Sequence, residues 1–278
     1  MSIFQAIILG VLQGIAEFLP ISSSGHLAVA QKLFGLSDVP LLFDVMLHLA
    51  TLAAVILYFR KKIARLFVIL FRWILRKPIQ TTNETDLLTG NDELGRKTIL
   101  AVIIATVVTG AIGVVTSKLI PEMPIKVTCA GFLFTACLLI FSSLWAKKHE
   151  RPLEAKGISI RQSLFIGFMQ GIGTLPGVSR SGSTIAGAQL AGVNRAAAGE
   201  FSFIVSIPAI LGAFVLEAKD LGEISSQIGA LPVFCGCLAA FAWGYLSLSI
   251  LMKLIRKGKL EWFACYLVPL GVFGLIFF

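Results

Sequence analysis

The stretches EFLPISSSGH, residues 17–26, and PGVSRSGST, residues 176–184, interrupt two long apolar segments of the chain. The segments cover residues 3–36 and 160–193, and each is divided into halves too short to cross about 30 Å of hydrocarbon as a helix. Irregular backbone at membrane depth is tolerated only where it is buried in protein or lines a watery cavity. Both segments are therefore predicted to be re-entrant helix–loop–helix hairpins.

The composition of the chain is that of an integral membrane protein. Of its 278 residues, 56% are hydrophobic and 14% are charged, with a mean hydropathy of +0.88, whereas soluble domains carry about 25% charged residues. This balance excludes a soluble helical bundle and predicts an all-α membrane protein with one membrane domain, residues 1–278. Six uninterrupted apolar stretches are long enough to be transmembrane helices, namely 41–59, 98–117, 125–145, 200–217, 229–252 and 262–278.

The basic residues orient these predicted spans. Residues 60–97 hold nine Lys and Arg, residues 146–162 hold five and residues 253–261 hold four. By the positive-inside rule these three loops are cytoplasmic, which places both termini outside. The same rule accounts for the net charge of +9 without a nucleic-acid partner. Within the first loop, a basic amphipathic stretch and the polar tract 80–93 predict an interfacial helix followed by a solvated loop.

The two interrupted segments are related by an internal repeat. Repeat one covers residues 1–145, and repeat two covers residues 158–278. Each contains one hairpin and three spans, so the second copy is predicted to enter the membrane inverted. Paired broken segments in an inverted repeat indicate a binding site near the membrane midplane. A shift of 157 residues pairs identical residues without a gap: Gly10 with Gly167, Gln13 with Gln170, Gly14 with Gly171, Ile15 with Ile172, Ser22 with Ser179, Ser24 with Ser181, Gly25 with Gly182 and Gly35 with Gly192.

The first loop carries an acid, three hydroxyls and an imidazole. Gln13 and Glu17 are four residues apart and share one helix face. A carboxylate at membrane depth needs a cationic partner, which can be an arginine or a metal ion. The alternative to a functional role is that Glu17 only forms a structural salt bridge between helices. His26, three residues beyond Ser23, could take the serine proton as a base, or serve as an acid or a nucleophile. The serines could equally be helix caps and packing residues.

The second loop supplies hydroxyls, backbone N–H groups freed by glycine, and Arg180. Such a segment at a helix N-terminus forms an anion site, and the planar fork of Arg180 suits phosphate. Together the loops hold the parts that phosphoryl transfer requires. Asp44 and His48, on one face of the next helix, could support the site or form a structural pair. On these residues alone, a secondary transporter or lipid flippase built on the same inverted repeat remains an alternative.

The chain resembles the undecaprenyl-diphosphate phosphatases of the bacitracin-resistance type over essentially its full length. The resemblance rests on the Gln13–Glu17 pair and on the two quoted stretches. It implies hydrolysis of a C55 polyprenyl diphosphate to the monophosphate and phosphate, which recycles the lipid carrier for peptidoglycan in the bacterial plasma membrane. It also implies a divalent cation, Mg²⁺ or Ca²⁺. The expected partners are the polyprenyl diphosphate and the membrane, and a homodimer is also considered.

The resemblance carries roles onto matching residues of this sequence. Ser23 ranks narrowly above His26 as the nucleophile, and Glu17 is the candidate metal ligand. The family has Glu or Gln at the position of Gln13, so the Gln found here argues against a metal site with two carboxylates. The implied catalytic residues are Glu17, Ser23, His26 and Arg180, and the implied substrate-binding residues are Gln13, Ser22, Ser24, Ser179, Ser181 and Thr184.

Overall fold

A computed structural model describes residues 1–36, 39, 41–80, 86–119, 124–149, 157–217 and 229–278 of the chain. These residues form eleven α-helices and a 3-10 turn at Leu260–Phe263, and none of them is in a strand. The helices are α1 (Ile3–Phe18), α2 (Ser23–Leu33), α3 (Leu41–Tyr58), α4 (Arg60–Ile74), α5 (Asp92–Leu119), α6 (Ile125–Lys148), α7 (Ile160–Ile172), α8 (Arg180–Leu190), α9 (Arg195–Glu217), α10 (Ala230–Arg256) and α11 (Ala264–Phe277).

The helix lengths confirm the all-helical, membrane-spanning class. Helices α5, α6, α9 and α10, together with the Leu260–Phe277 stretch that contains α11, are long and apolar enough to cross a membrane. A sixth span results if α3 and α4 are taken together, although they are bent by 78° where they meet. Helix α4 is amphipathic, with exposed apolar side chains such as Phe67 and Phe71 between its basic residues. Because of the bend, the axis of this basic helix is turned well away from that of α3.

The two interrupted segments are pairs of short helices. Helices α1 and α2 have 16 and 11 residues, and α7 and α8 have 13 and 11. At about 1.5 Å per residue, each is shorter than the hydrocarbon core. Helix α1 ends before Pro20, and α7 ends just before Gly173, so the breaks occur where the sequence contains residues that disfavour helix. We call α1 and α2 the first helix pair, and α7 and α8 the second helix pair.

Glycines let each helix pair approach a long helix backbone to backbone. A Cβ atom at Gly10 of α1 would lie 2.1 Å from the carbonyl oxygen of Gly236 in α10, and a Cβ at Gly167 of α7 would lie 2.7 Å from that of Ala105 in α5. Small residues at such contacts allow the close packing on which membrane helices depend. Any larger side chain at Gly10 would force α1 away from α10.

Helix α6 fixes the positions of both loops. Ile21 of the first loop packs in one apolar cluster with Ala136 and Leu139 of α6. Gly177 of the second loop has a φ of +76°, and a Cβ there would lie 1.9 Å from the carbonyl oxygen of Thr128. Only glycine satisfies both the left-handed backbone and this close approach. The two loops are therefore anchored on the same helix.

The polar tract 80–93 was expected to be a solvated loop, and this prediction is wrong for residues 86–92, which are buried or partly buried. Residues 81–85 lie outside the described residues. Leu88 is 1% exposed and belongs to an apolar cluster with Ala101 and Phe201, because an apolar side chain inside a polar tract is still driven out of water. Asp92 is buried and accepts a hydrogen bond from Arg72 Nε at 3.1 Å. Helix α5 begins at this aspartate, within the tract.

Candidate active site

The turn between α1 and α2 places a serine against a carboxylate. Glu17 is in the last turn of α1, and the chain then passes Pro20 and turns at Ser22, whose φ is +70°. A non-glycine residue seldom adopts this left-handed conformation. Helix α2 begins at the next residue, Ser23, and the Ser23 hydroxyl donates to Glu17 Oε2 at 2.6 Å.

Glu17 is the centre of the polar cluster. Its side chain is 4% exposed. Gln13 Nε2 donates to Oε2 at 3.2 Å, and His48 Nε2 lies 3.5 Å from the same oxygen. Arg180 donates to Oε1 through Nη2. The predicted cationic partner of this buried carboxylate is thus an arginine of the second loop.

The second loop presents Arg180 at the start of a helix. The Ser179 hydroxyl caps α8 by accepting from the Gly182 amide at 3.1 Å, and the Ser179 amide donates to Thr135 Oγ1 of α6 at 3.1 Å. Arg180 is the first residue of α8. A Cβ at Gly182 would lie 3.1 Å from Cβ of Pro20, so the two loops touch. The positive end of the α8 dipole, which favours bound anions, therefore lies beside the polar cluster.

Two polar atoms of this cluster are buried without a hydrogen-bond partner among the described residues. One is the donor Nη1 of Arg180, and the other is the acceptor Oε1 of Gln13. More than 90% of buried polar groups in proteins are paired, so an unpaired donor and an unpaired acceptor on two side chains that both contact Glu17 are unusual. The donor suits a phosphate oxygen, and the acceptor suits a cation or a water molecule.

His26 is close to the first loop but does not face Ser23. Its Nδ1 lies 2.7 Å from the Ser22 carbonyl oxygen, and its Nε2 lies 2.8 Å from the hydroxyl of Tyr266 in α11. The Ser23 proton is directed to Glu17 instead. Ser23 and His26 therefore share no side-chain hydrogen bond along which the expected proton transfer could take place.

The remaining candidate hydroxyls fall into two groups. Ser22 Oγ lies 3.5 Å from Ser24 Oγ, and Ser179 Oγ lies 3.2 Å from Ser181 Oγ, so each loop has a pair of neighbouring hydroxyls. Thr184 is turned into the protein interior, where its hydroxyl donates to the Arg180 carbonyl oxygen at 2.7 Å. The same hydroxyl lies 3.4 Å from Gln170 Oε1, so its described contacts join the first turns of α8 to α7.

Asp44 and His48 do not form a side-chain pair. The Asp44 carboxylate accepts from Gln31 Nε2 at 2.9 Å, and His48 Nδ1 bonds to the backbone carbonyl of Asp44 at 2.8 Å. His48 therefore reaches the cluster through Glu17, as a supporting residue would.

Sequence reasoning missed two residues that position the site. Thr135 holds the second loop on α6, and Tyr266 holds His26. Both residues lie in apolar spans far from the two loops, and no sequence spacing connects them to either loop. Their hydroxyls inside apolar helices were the available signal, because a buried hydroxyl usually has a partner.

Comparison with known proteins shows one family over nearly the whole chain. Residues 6–273 match the model of the bacitracin resistance protein BacA. The chain is 47% identical to an undecaprenyl-diphosphatase of Treponema denticola, with 100% of this chain and 98% of the relative covered. It is 37% identical to an undecaprenyl-diphosphatase of Carboxydothermus hydrogenoformans, covering 99% and 97%, and 38% identical to one of Methanobrevibacter smithii, covering 98% and 97%.

Proposed function

The chain belongs to the family of the bacitracin resistance protein BacA, and we propose that its reaction takes place where Glu17, Ser23 and Arg180 meet. The protein is a membrane phosphatase that hydrolyses undecaprenyl diphosphate to undecaprenyl phosphate and phosphate. The observation that carries the location of the site is the buried contact of Glu17 with both Ser23 and Arg180, which joins the two interrupted segments. This cluster combines a hydroxyl, an acid and a phosphate-binding cation.

Arg180 and the α8 N-terminus bind the diphosphate. Nη1 of Arg180 is a buried donor without a protein partner, so a phosphate oxygen can take it without breaking an existing bond. The guanidinium gives two donors in one plane, and the helix dipole adds to the attraction. Because the site is enclosed by membrane helices, the polyprenyl chain can remain in the hydrocarbon while its diphosphate enters the site.

A divalent cation, Mg²⁺ or Ca²⁺, fits the oxygen atoms of Gln13 and Glu17. Magnesium sites commonly use one or two carboxylates together with substrate phosphate oxygens. The single carboxylate of Glu17 and the unpaired Oε1 of Gln13 match that pattern, although no group of three or more His, Cys, Asp or Glu side chains in the described part of the chain is arranged for a metal. When bound, the cation would neutralise negative charge on the diphosphate.

Ser23 is the nucleophile of the proposed reaction. Its hydroxyl already donates to Glu17, so Glu17 accepts the proton as Oγ forms a bond to the terminal phosphorus. The bond between that phosphorus and the bridging oxygen breaks, and undecaprenyl phosphate leaves. Water then hydrolyses the phosphoserine and releases phosphate. Arg180 stabilises the charge on the transferred phosphoryl group. The competing routes are attack on the phosphorus by His26 and direct attack by water.

An inverted repeat with both termini outside the plasma membrane accounts for the helix packing. Helices α1 and α7 both begin with a Ser–Gln capping box, 157 residues apart. Gly10 and Gly14 of α1 lie against α10, whereas Gly167 and Gly171 of α7 lie against α5, so each helix pair packs on a long helix of the other repeat. In both contacts the residue numbers of the two helices rise together, so α1 runs parallel to α10 and α7 runs parallel to α5. This exchange, together with the contact between loop tips, supports two re-entrant pairs that enter from opposite sides.

Phosphate release in detergent separates this function from lipid transport. Purified protein should release phosphate from undecaprenyl diphosphate, and the Arg180→Ala variant should release far less. A flippase or secondary transporter needs two compartments and would release none. A wild-type preparation that binds the lipid but forms no phosphate, with the cation present, would contradict the proposal.

A further inference from the structure

The hydrogen bonds of His26 determine where its proton lies. A carbonyl oxygen can only accept, so the contact of 2.7 Å between Nδ1 and the Ser22 carbonyl requires a proton on Nδ1. In the neutral ring Nε2 then carries a lone pair, and the Tyr266 hydroxyl at 2.8 Å donates to it. Both nitrogens are therefore occupied, and neither faces the Glu17 carboxylate.

We propose that Tyr266 is a positioning residue of the phosphatase site, which acts on Ser23 through His26 and the Ser22 carbonyl. This inference rests on the proposed roles of Ser23 and Glu17. The Ser22 carbonyl fixes the tautomer of His26, and the Tyr266 hydroxyl, by donating to Nε2, holds the ring in the orientation in which the Nδ1 proton reaches that carbonyl. Ser22 has a φ of +70°, a conformation that non-glycine residues keep only when their surroundings hold it. The next residue is Ser23. The bond from His26 to the Ser22 carbonyl therefore helps to position the Ser23 hydroxyl, which lies 2.6 Å from Glu17 Oε2.

Packing around the imidazole supports this role. The His26 ring is buried between Phe132 of α6, at a centroid distance of 5.2 Å, and the Tyr266 ring, at 5.6 Å. These contacts leave the imidazole little freedom to rotate. Tyr266 itself is 48% exposed, so its ring lies at the protein surface while its hydroxyl points inward to His26. A phenylalanine could fill the same place, which separates the hydroxyl from the packing of the ring.

The effect should fall on turnover more than on substrate binding. The groups proposed to bind the diphosphate, Arg180 and the α8 N-terminus, have no described contact with Tyr266. We expect Tyr266→Phe to lower kcat about tenfold and to leave KM within about twofold of wild type. Tyr245→Phe is the matched control, because the described contact of the Tyr245 ring is a packing contact with Tyr58 at 5.8 Å. This control should retain wild-type kinetics.

A second readout follows the imidazole directly. The chain has three histidines, so the protein labelled with 15N-histidine gives few imidazole signals, and a His26→Asn variant assigns those of His26. We expect the wild-type spectrum to show a protonated Nδ1 and an unprotonated Nε2. In Tyr266→Phe the ring should lose this orientation and its contact with the Ser22 carbonyl, so the proton should distribute over both nitrogens. In the His26→Asn background, Tyr266→Phe should cause no further loss of kcat.

The proposal is overturned if the wild-type ring carries its proton on Nε2 alone. It is equally overturned if Tyr266→Phe leaves kcat unchanged, or if it lowers kcat by the same factor in the His26→Asn background. The failure of the proposed function looks different, because wild-type protein would then release no phosphate whatever the imidazole spectrum shows.

Discussion

Arg180, the first residue of α8, donates a hydrogen bond to Glu17 in the last turn of α1. Their side chains are 21% and 4% exposed, so the pair is largely removed from water. Replacing one partner of such a pair leaves the other charge unpaired in a poorly solvated place. Each residue therefore holds the other in position, and in the proposed site a diphosphate bound by Arg180 would also change the environment of Glu17. The ion pair would thus couple substrate binding to the proposed acid–base group.

Replacing Arg180 should affect both binding and catalysis. We expect Arg180→Ala to lower kcat/KM by roughly 10²–10³, because one preorganised donor to the transferring phosphoryl group is lost. Arg180→Lys should recover part of this loss, since the charge remains but the planar fork does not. The measurement is phosphate release over a range of substrate concentrations. Activity of Arg180→Ala within a few-fold of wild type would remove Arg180 from the site.

Gln13 should tune the cation requirement. In Gln13→Glu, a second carboxylate would lie on the same helix face as Glu17, and the repulsion between them would be relieved by a cation. We expect half-maximal activity at a cation concentration about tenfold lower than in wild type. Gln13→Leu removes the unpaired acceptor and should require more cation.

Gln170→Leu is the matched control for Gln13→Leu. Gln170 occupies the repeat-related position and is equally buried, but its carboxamide donates to Thr109 at 3.0 Å and has no described contact with Glu17. It should leave the cation dependence unchanged. Equal cation curves for wild type and both Gln13 variants would mean that Gln13 is not near the cation.

Much of the fold could be predicted because membrane helices leave two plain signals in a sequence, namely long apolar stretches and the Pro and Gly residues that interrupt them. Apolar length predicted the spans, and Pro20 and Gly177 marked the breaks in the two interrupted segments. Helix ends were less predictable: α5 begins at Asp92, before the predicted residue 98, because a helix continues beyond the hydrocarbon wherever its polar residues find partners. Asp92 finds Arg72, a contact between residues far apart in the sequence.

The candidate site could be predicted as a set of residues that lie together, but not as a set of bonds. The loops contain Glu17, Ser23 and Arg180, and the structure brings these three together. The spacing of Ser23 and His26 suggested a proton transfer, yet the turn at Ser22 directs the serine to Glu17 and the imidazole to Tyr266. That choice depends on a left-handed turn and on a residue of α11, and neither is visible in local spacing.

An ion pair on the predicted cytoplasmic side should make stability depend on pH. Lys62 of α4 pairs with Asp86 and with Glu200 of α9, and it thereby ties the amphipathic helix to the spans. Burial alone would raise the pKa of Asp86, but the Lys62 ammonium and the amides of Leu88 and Thr89 lower it below its ordinary value.

Because this pKa is lowered in the folded protein, the stabilisation is present above the ordinary aspartate pKa and is lost as the pH falls through the folded value. We expect Asp86→Asn to lower Tm by about 2–4 °C near neutral pH. The difference from wild type should shrink below about pH 4. Glu93→Gln, which removes an exposed pair with Lys97, is the control and should change Tm little at any pH. A difference for Asp86→Asn that grows on acidification would contradict this sign.

Membrane orientation can be tested at an exposed basic position. In a variant without the five native cysteines, Lys77→Cys should resist an impermeant thiol reagent in intact cells and react after permeabilisation, because residues 60–97 are expected in the cytoplasm. Lys77 is exposed at the end of the α4 region, whereas Gly90, in the same loop, is buried and unsuitable. Lys118→Cys, exposed at the far end of α5, should be labelled from outside. The reverse pattern would invert the proposed topology.

The identity of the nucleophile gives the sharpest test of the chemistry. Ser23 Oγ lies 2.6 Å from Glu17, and His26 has both nitrogens engaged elsewhere, so we expect Ser23→Ala to be nearly inactive. A rapid quench with labelled substrate should trap an acid-stable phosphoserine at position 23. Ser24→Ala is the matched control, since Ser24 is exposed and its hydroxyl contacts Ser22 rather than Glu17. It should keep most of the rate. An acid-labile adduct in a nearly normal Ser23→Ala enzyme would instead assign the attack to His26. The absence of any adduct in wild type, with Ser23→Ala still active, would assign it to water.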